Sequence, residues 1–323
     1  MKGQKDTDQN TNQYASQYGR HPEPSSSIAF KIQETKRLPH LLGQIPDPPE
    51  KLYICGNAEL LEDKSLTFLC VIGSRKYTTY GHEACTSLIR ALRGLPVAIV
   101  SGLALGIDSI AHEAALEFGL PCIAVPGSGL HPDVLYPRTH LSLAEEILKT
   151  GGTLLSEYEP RFRASPWSFP MRNRIMAGLS HAILIIEGEE DSGTLITARL
   201  GLDYNRDVFA VPGSIFSTAS KGPLGLIRRG ATPICSGDNL IDALGFKKDQ
   251  LFEDRGRADE AYSRCSEEEL RVIRALASPQ SHDDLQRLSG IAAGKLQVIL
   301  ALLEIRGLIT EEYGQVRLSY LSK

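Results

Sequence analysis

No apolar run in this chain approaches the ~18–20 residues needed to span a bilayer. The opening stretch, MKGQKDTDQNTNQYASQYGR, is polar and lacks an apolar core, so it does not read as a secretory signal. There is no C-x-x-C pair. The six cysteines (Cys55, Cys70, Cys85, Cys122, Cys235 and Cys265) are scattered, several of them inside apolar runs. That usage fits free, buried thiols in a reducing cytosol rather than a disulfide framework. Neither cysteines nor histidines cluster at ligand spacing, which argues against zinc. No G-x-x-x-x-G-K-[ST] is present, which argues against ATP hydrolysis at a P-loop. No carboxylate cluster resembles a two-metal nuclease site. The dinucleotide fingerprint is missing too: Gly102 and Gly106 are too far apart for it. Asp108 lies inside that turn rather than ~20 residues beyond, so a ribose-binding role does not transfer. The expectation is a protein that is not an enzyme, with no cofactor, no metal and no catalytic residue.

What is present is ordinary for a globular protein. The chain has 323 residues, 42% hydrophobic and 23% charged, enough for two or three domains. The net charge of −4 argues weakly against nucleic acid, but the charge is uneven. Between Arg161 and Arg174 stand four arginines and no acid, while acids crowd Glu187–Asp191 and Glu253–Glu269. A basic strip on an acidic protein remains compatible with a polyanion.

Residues 1–27 are rich in Gln, Asn, Ser and Asp and read as a disordered tail. Residues 28–50 read as a short lead-in and linker segment. From 51 to 245 short apolar strands alternate with helical patterns. The strands are Leu52–Cys55, Phe68–Ile72, Val97–Val100, Cys122–Val125, Thr153–Ser156, Ala182–Ile186, Val208–Val211 and Pro233–Cys235. Helices are expected near Gly81–Leu92, Ala144–Lys149, Leu224–Arg229 and Asn239–Leu244, the last with Asp238 as N-cap. This alternation, about seven strands from Phe68 onward, predicts an α/β fold: an extended Rossmann-like, mainly parallel sheet with helices on both faces. Residues 246–264 read as a linker.

Residues 265–323 read as a small winged-helix-like domain. Ser266 and Glu269 form a capping box. Leu270, Ile273 and Leu276 share a helical face, and Ser281 starts a second helix. Lys295–Arg306 is a third, ending at Gly307. Leu308–Thr310 and Gln315–Leu318 pair around Tyr313-Gly314. Only Lys295 and Arg306 are basic on the third helix, so a protein-interaction or regulatory role is favoured over direct DNA contact.

The chemistry concentrates in turns after the strands. Gly73-Ser74-Arg75 offers backbone N–H groups, a hydroxyl and a guanidinium to a phosphate. Gly102, Gly127, Gly193 and Gly213 mark four more strand ends built of small residues, where backbone approaches a ligand closely. In an open α/β sheet these ends share one edge, the edge where ligands bind. Arg172, Asn173 and Arg174 open a helical pattern before the strand at Ala182. Gly193 and Thr194 open another after it, offering the positive end of a helix dipole. Trp167 and Phe169 beside the arginines give the composition of a single-strand site, where bases stack on rings. His112 reads as a packing residue and Glu187–Asp191 as a solvated acidic loop.

These blocks, in order, are VIGSRKYTTYG at 71, SGLALGIDSIAHEAAL at 101, GLHPDVLYPRTH at 129, LLSEYEP at 154, FPMRNRIMAGLS at 169, SGTLITARLG at 192 and DVFAVPGS at 207. Together they resemble the DprA/Smf family of bacterial DNA-processing proteins. The resemblance implies an extended Rossmann fold that binds single-stranded DNA without sequence preference. It implies a cytoplasmic homodimer that protects incoming DNA during natural transformation and loads the recombinase RecA. Its DNA pocket would include Gly73, Ser74 and Arg75, then Phe169, Arg172, Asn173 and Arg174, with Gly193 and Thr194 facing them. Two departures stand out: Pro223 and Leu224 replace a Cys and an Asn of the family pattern, and Asn205 replaces a Gly. A dimer surface is expected on the late helices, near Leu224–Ile227 or Leu240–Leu244.

The chief alternative is a nucleotide-processing hydrolase of the lysine-decarboxylase-like phosphoribohydrolase type. Its PGGxGTxxE pattern supplies a catalytic Glu, and here Ile196, Thr197 and Ala198 stand where that Glu should fall. A winged-helix transcription regulator is a third possibility and calls for a more basic third helix.

Overall fold

The computed structural model describes residues 30–190, 192–246, 265–276, 280–306, 308–312 and 315–318. The tail at 1–27, most of the linker at 246–264, Asp191, Gly307 and the turn Tyr313-Gly314 lie outside the described residues.

The strands are β1 (Ile32–Thr35), β2 (Leu52–Gly56), β3 (Thr67–Ile72), β4 (Val97–Ser101), β5 (Cys122–Ala124), β6 (Thr153–Ser156), β7 (Ala182–Ile185), β8 (Asp207–Ala210) and β9 (Thr232–Pro233). They form one sheet in the order β1-β2-β6-β5-β4-β3-β7-β8-β9. Strands β3 to β9 run parallel, while β2 joins β6, and β1 joins β2, antiparallel. The chain lays down β3, β4, β5 and β6 in one direction. It then returns to the middle and lays β7, β8 and β9 in the other. The order therefore reverses between β3 and β7, the place where an open α/β sheet leaves a crevice outside its strand ends.

Alternation along β3 shows why the sheet is buried on both sides. Leu69 and Val71 enter one apolar cluster, whereas Phe68, Cys70 and Ile72 enter the other. Helices α1 (Thr79–Ala91), α2 (Ile107–Glu117), α3 (Leu141–Lys149) and α7 (Gly237–Ala243) cover the first face. Helices α4 (Ser168–Leu179), α5 (Gly193–Asp203) and α6 (Lys221–Arg228) cover the second.

Several expectations shift. Residues 28–50 are more than a linker: they supply β1, and Leu42 and Ile45 are core residues. Arg172, Asn173 and Arg174 lie in the middle of α4 rather than at its start. Helix α7 is capped by Ser236, whose hydroxyl accepts the Asn239 N–H at 3.1 Å, rather than by Asp238. Leu226, Leu240 and Ile241 point into the core, so the expected dimer surface loses its central apolar residues. Asn205 adopts a φ of 57°, the left-handed conformation that Gly or Asn enters most easily. That conformation accounts for Asn in place of Gly.

The C-terminal residues have an apolar cluster of their own. Helices α8 (Glu267–Ala275), α9 (His282–Ser289) and α10 (Ala293–Ile305) pack with a sheet ordered β10-β12-β11. Its strands are β10 (Gln280–Ser281), β11 (Ile309–Glu312) and β12 (Gln315–Leu318). Three helices and a hairpin make a winged helix, and β10 is an addition to the pattern read from sequence. The capping box forms as expected, with both the Ser266 and Glu269 side chains engaged.

Candidate functional site

The β3 turn and the start of α5 meet at the reversal of strand order. The Thr194 hydroxyl donates to the Gly73 carbonyl across 3.2 Å, tying the end of β3 to the first turn of α5. Beside this bridge lies a groove of about 700 Å³. Gly73, Ser74, Arg75, Phe169, Arg172, Asn173, Gly193 and Thr194 all line it. Lys76, Asp108 and Ser192 join them.

The two exposed cations are Arg75 and Lys76. Ser74 shapes their turn: its hydroxyl accepts the Lys76 N–H at 3.0 Å and donates to the Lys76 carbonyl at 2.7 Å. Gly73 is required here, because a Cβ would run into Ile107 of α2. The Arg75 guanidinium lies over the Phe169 ring, and Tyr136 packs on that ring with centres 5.5 Å apart. A small extension of the groove continues between Arg75, Gly102, Tyr136 and Phe169.

Helix α5 begins without a side-chain cap, and the Ser192 hydroxyl is buried without a hydrogen-bond partner. The Leu195 N–H turns back to the Ser192 carbonyl at 3.0 Å, which leaves the N–H groups of Gly193 and Thr194 as donors for an anion, backed by the helix dipole. Glu187, expected in a solvated loop, is instead buried at the end of β7. Its carboxylate accepts the Thr78 hydroxyl at 2.5 Å and the Thr78 N–H at 2.9 Å, and so fixes the start of α1. No group of three or more His, Cys, Asp or Glu fit to hold a metal occurs among the described residues.

Four of the sequence candidates, Arg172, Gly102, Gly127 and Arg174, do structural work. Arg172 reaches the groove wall but is buried, and its Nη1 donates to the carbonyls of Gly102 (2.6 Å) and Val125. It holds the ends of β4 and β5 together. Burial pushes the Asp108 carboxyl upward, and the charge of Arg172 opposes that shift. Gly102 lacks a side chain because a Cβ there would strike the Arg172 guanidinium and Asp108. Gly127 likewise leaves room for the Phe169 ring. Of the five strand-end turns, then, those after β3 and β7 make the groove, Gly102 borders its extension, and Gly127 and Gly213 line neither.

Arg174 points away from the groove. Its guanidinium donates to the Asp47 carbonyl at 2.7 Å, bonds the Glu157 carboxylate and lies 3.5 Å from the Asp47 carboxylate. With only 8% of its surface exposed, it is an internal tether between α4, residue 47 and the segment after β6. Contrary to the expectation, it is not a residue of the groove. Arg174 follows Arg172 by two positions, and residues so spaced do not share a helix face.

Trp167 is 57% exposed at the start of α4. Its ring stands edge-on to Tyr158 and Phe162, at 5.8 Å and 5.6 Å, and those two stack at 4.4 Å. Reading the sequence missed Lys76 as a groove residue, although it stands beside Arg75 in the same turn.

Residues 29–245 match the family model of DNA recombination-mediator protein A, and residues 257–315 match that of the DprA winged helix domain. The chain is 38% identical over 219 residues to the DNA processing protein DprA of Bacillus subtilis (strain 168), covering 68% of this chain and 72% of that protein. It resembles the X-ray structure of DNA processing protein A from Streptococcus pneumoniae, with 37% identity and a TM-score of 0.61 over 66% of this chain and 74% of that one. It also resembles the Helicobacter pylori DNA processing protein A, solved for its unique single-stranded DNA binding mode. Identity there is 33% and the TM-score 0.61, over 67% of this chain and 96% of that one.

Proposed function

Since this chain belongs to the DNA recombination-mediator protein A family, we propose that it binds single-stranded DNA without reading its sequence. One observation carries this reading. At the reversal of strand order, the exposed Arg75 and Lys76, the uncapped start of α5 and the Phe169 ring border one groove. Cations and backbone N–H groups suit phosphates, which every nucleotide carries. A ring accepts any base on its face. Nothing in that combination requires a particular base.

The proposed action is non-enzymatic: the groove shields incoming DNA and presents it to RecA. Delivery to RecA, work as a homodimer and a cytoplasmic setting in natural transformation follow from the family resemblance and form part of the proposal. Among the described residues no single helix is long and apolar enough to cross a membrane.

The test is fluorescence anisotropy of labelled oligo-dT, single- and double-stranded, over a salt series. Single strands should bind more tightly, with a log–log salt slope of ~0.7 for each phosphate neutralised. Arg75→Ala should lower the affinity and make the slope shallower. Absence of binding at low salt, or binding that Arg75→Ala leaves intact, overturns the assignment of this groove.

A further inference from the structure

Helix α10 is apolar on both sides. Leu296, Ile299, Leu300 and Leu303 are buried in the small domain's core. On the opposite side Gly294, Val298, Ala301 and Ile305 are exposed, Val298 by 59% and Ile305 by 83%. A helix that is apolar all round is ordinarily buried all round. Among the described residues nothing covers its second side.

The exposed residues are spaced by four, three and four positions. That is the seam of a coiled coil, in which such positions alternate as a and d. The surface offers little to a phosphate backbone. Lys295 is paired with Glu268 at 2.6 Å, and Arg306 with Glu269 at 3.2 Å. A DNA-reading helix has cations and polar readers where this one has a valine, an alanine and an isoleucine.

We infer that this seam is a contact with the same helix of a second copy of the chain, the two helices running antiparallel about a two-fold axis. The register follows from side-chain size. With the axis level with the step between Ile299 and Leu300, Ile305 falls opposite Gly294 of the second copy, and Val298 opposite Ala301. A large residue meets a small one at each level. Gly294 is an open notch, since a Cβ built there meets nothing within 4 Å. On the flanks, the same arrangement sets Glu304 beside Gln297 of the second copy, and Lys295 beside Leu302. No like charges oppose each other, and a two-fold contact needs only one self-complementary surface.

A 13-residue helix is about 20 Å long. A contact of that length falls below the ~1,200 Å² of a standard stable interface, so on its own it is weak. It gains strength when two copies are held close, because local concentration then replaces intrinsic affinity. The inference does not depend on the groove's ligand.

The experiment is sedimentation equilibrium of the full chain over a concentration series, for wild type, Ile305→Ala, Gly294→Leu and the double variant. Both positions are exposed, and circular dichroism checks that each variant is folded. Ile305→Ala removes the knob and Gly294→Leu fills the notch. Each should lower the association constant roughly tenfold or more, since each change occurs twice across the axis. The double variant exchanges the large and the small side chain between the two positions, so large meets small again. It should return to within about threefold of wild type. A wild type that is monomeric throughout, single variants that associate as wild type does, or a double variant as weak as the product of the singles, each overturns the seam. Any contact elsewhere in the chain would be common to all four proteins.

Discussion

The guanidinium carbon of Arg75 stands 5.1 Å from the centre of the Phe169 ring, joining the turn after β3 to the first turn of α4. Each side chain positions the other, so their contributions to single-strand binding should be coupled. Arg75→Ala removes a phosphate partner, whereas Phe169→Ala removes a stacking face and the surface on which Arg75 rests. Each change should weaken oligo-dT binding by about tenfold. The double variant should lose less than the product, leaving a coupling of about 0.5–1 kcal/mol. A cycle that closes with no coupling would show that the cation–ring contact does not matter to binding.

Gly127 separates base contact from phosphate contact. A Cβ there meets the Phe169 ring and would push it from its place, at about 1–3 kcal/mol of overpacking strain. Gly127→Ala should therefore weaken binding severalfold and change the salt slope far less than Arg75→Ala does, because both cations stay in the groove even as Arg75 loses the ring beneath it. The same anisotropy series reads both quantities. Wild-type affinity in a folded Gly127→Ala protein would remove Phe169 as a base platform.

Arg174 should behave in the opposite way. It is buried between Asp47 and Glu157, remote in role from the groove. Arg174→Ala leaves the half-buried Glu157 carboxylate without its partner, a loss of about 3 kcal/mol or more by analogy with broken buried pairs. Burial already pushes Glu157 upward against the pull of Arg174, so removing the arginine takes away the larger of the two influences that favour its charge and leaves only the Tyr158 hydrogen bond. Urea unfolding should show the lost stability, while single-strand affinity of the remaining folded protein stays close to wild type. A large affinity loss with unchanged stability would return Arg174 to the site.

Arg172 and Arg174 mark the boundary of what the sequence could reveal. Strand runs such as Phe68–Ile72 and Ala182–Ile186 are legible because burial on both sheet faces leaves continuous apolar stretches. The order of blocks then puts the turns at 73 and 193 on one edge. What a side chain on α4 faces is not legible that way. Helix α4 is buried over most of its length, and its arginines serve both the groove wall and the interior. Their charge suggested phosphate, but their partners are carbonyls and a carboxylate brought in from residues 47, 102, 125 and 157. Such long-range partners have no local signature. Strand β1 escaped for a similar reason: it is a short edge strand with half its side chains exposed, so it lacks an apolar run. Glu187 was hidden by its company, since four charged or glycine neighbours made a buried carboxylate look like part of a solvated loop.

His112 supplies a dependence on pH that lies outside the binding site. It is fully buried in α2, and burial pushes its pKa down to about 3. The unfolded chain takes up a proton at this histidine below about pH 6.5, which the folded chain refuses until near pH 3. Over that window the unfolded state binds more protons, so stability falls as pH falls. The contribution is complete above the unfolded value and shrinks by ~1.4 kcal/mol per pH unit below it. Between pH 6.5 and pH 5 the loss amounts to about 2 kcal/mol. His112→Leu removes the titration and keeps an apolar side chain in the same pocket, while the neighbouring Asp108 is present in both proteins. Urea unfolding at pH 7, 6 and 5 should therefore give a shallower decline for His112→Leu than for wild type. Parallel declines would mean that the histidine takes up its proton within the folded state, and so that α2 opens to water more readily than its packing indicates.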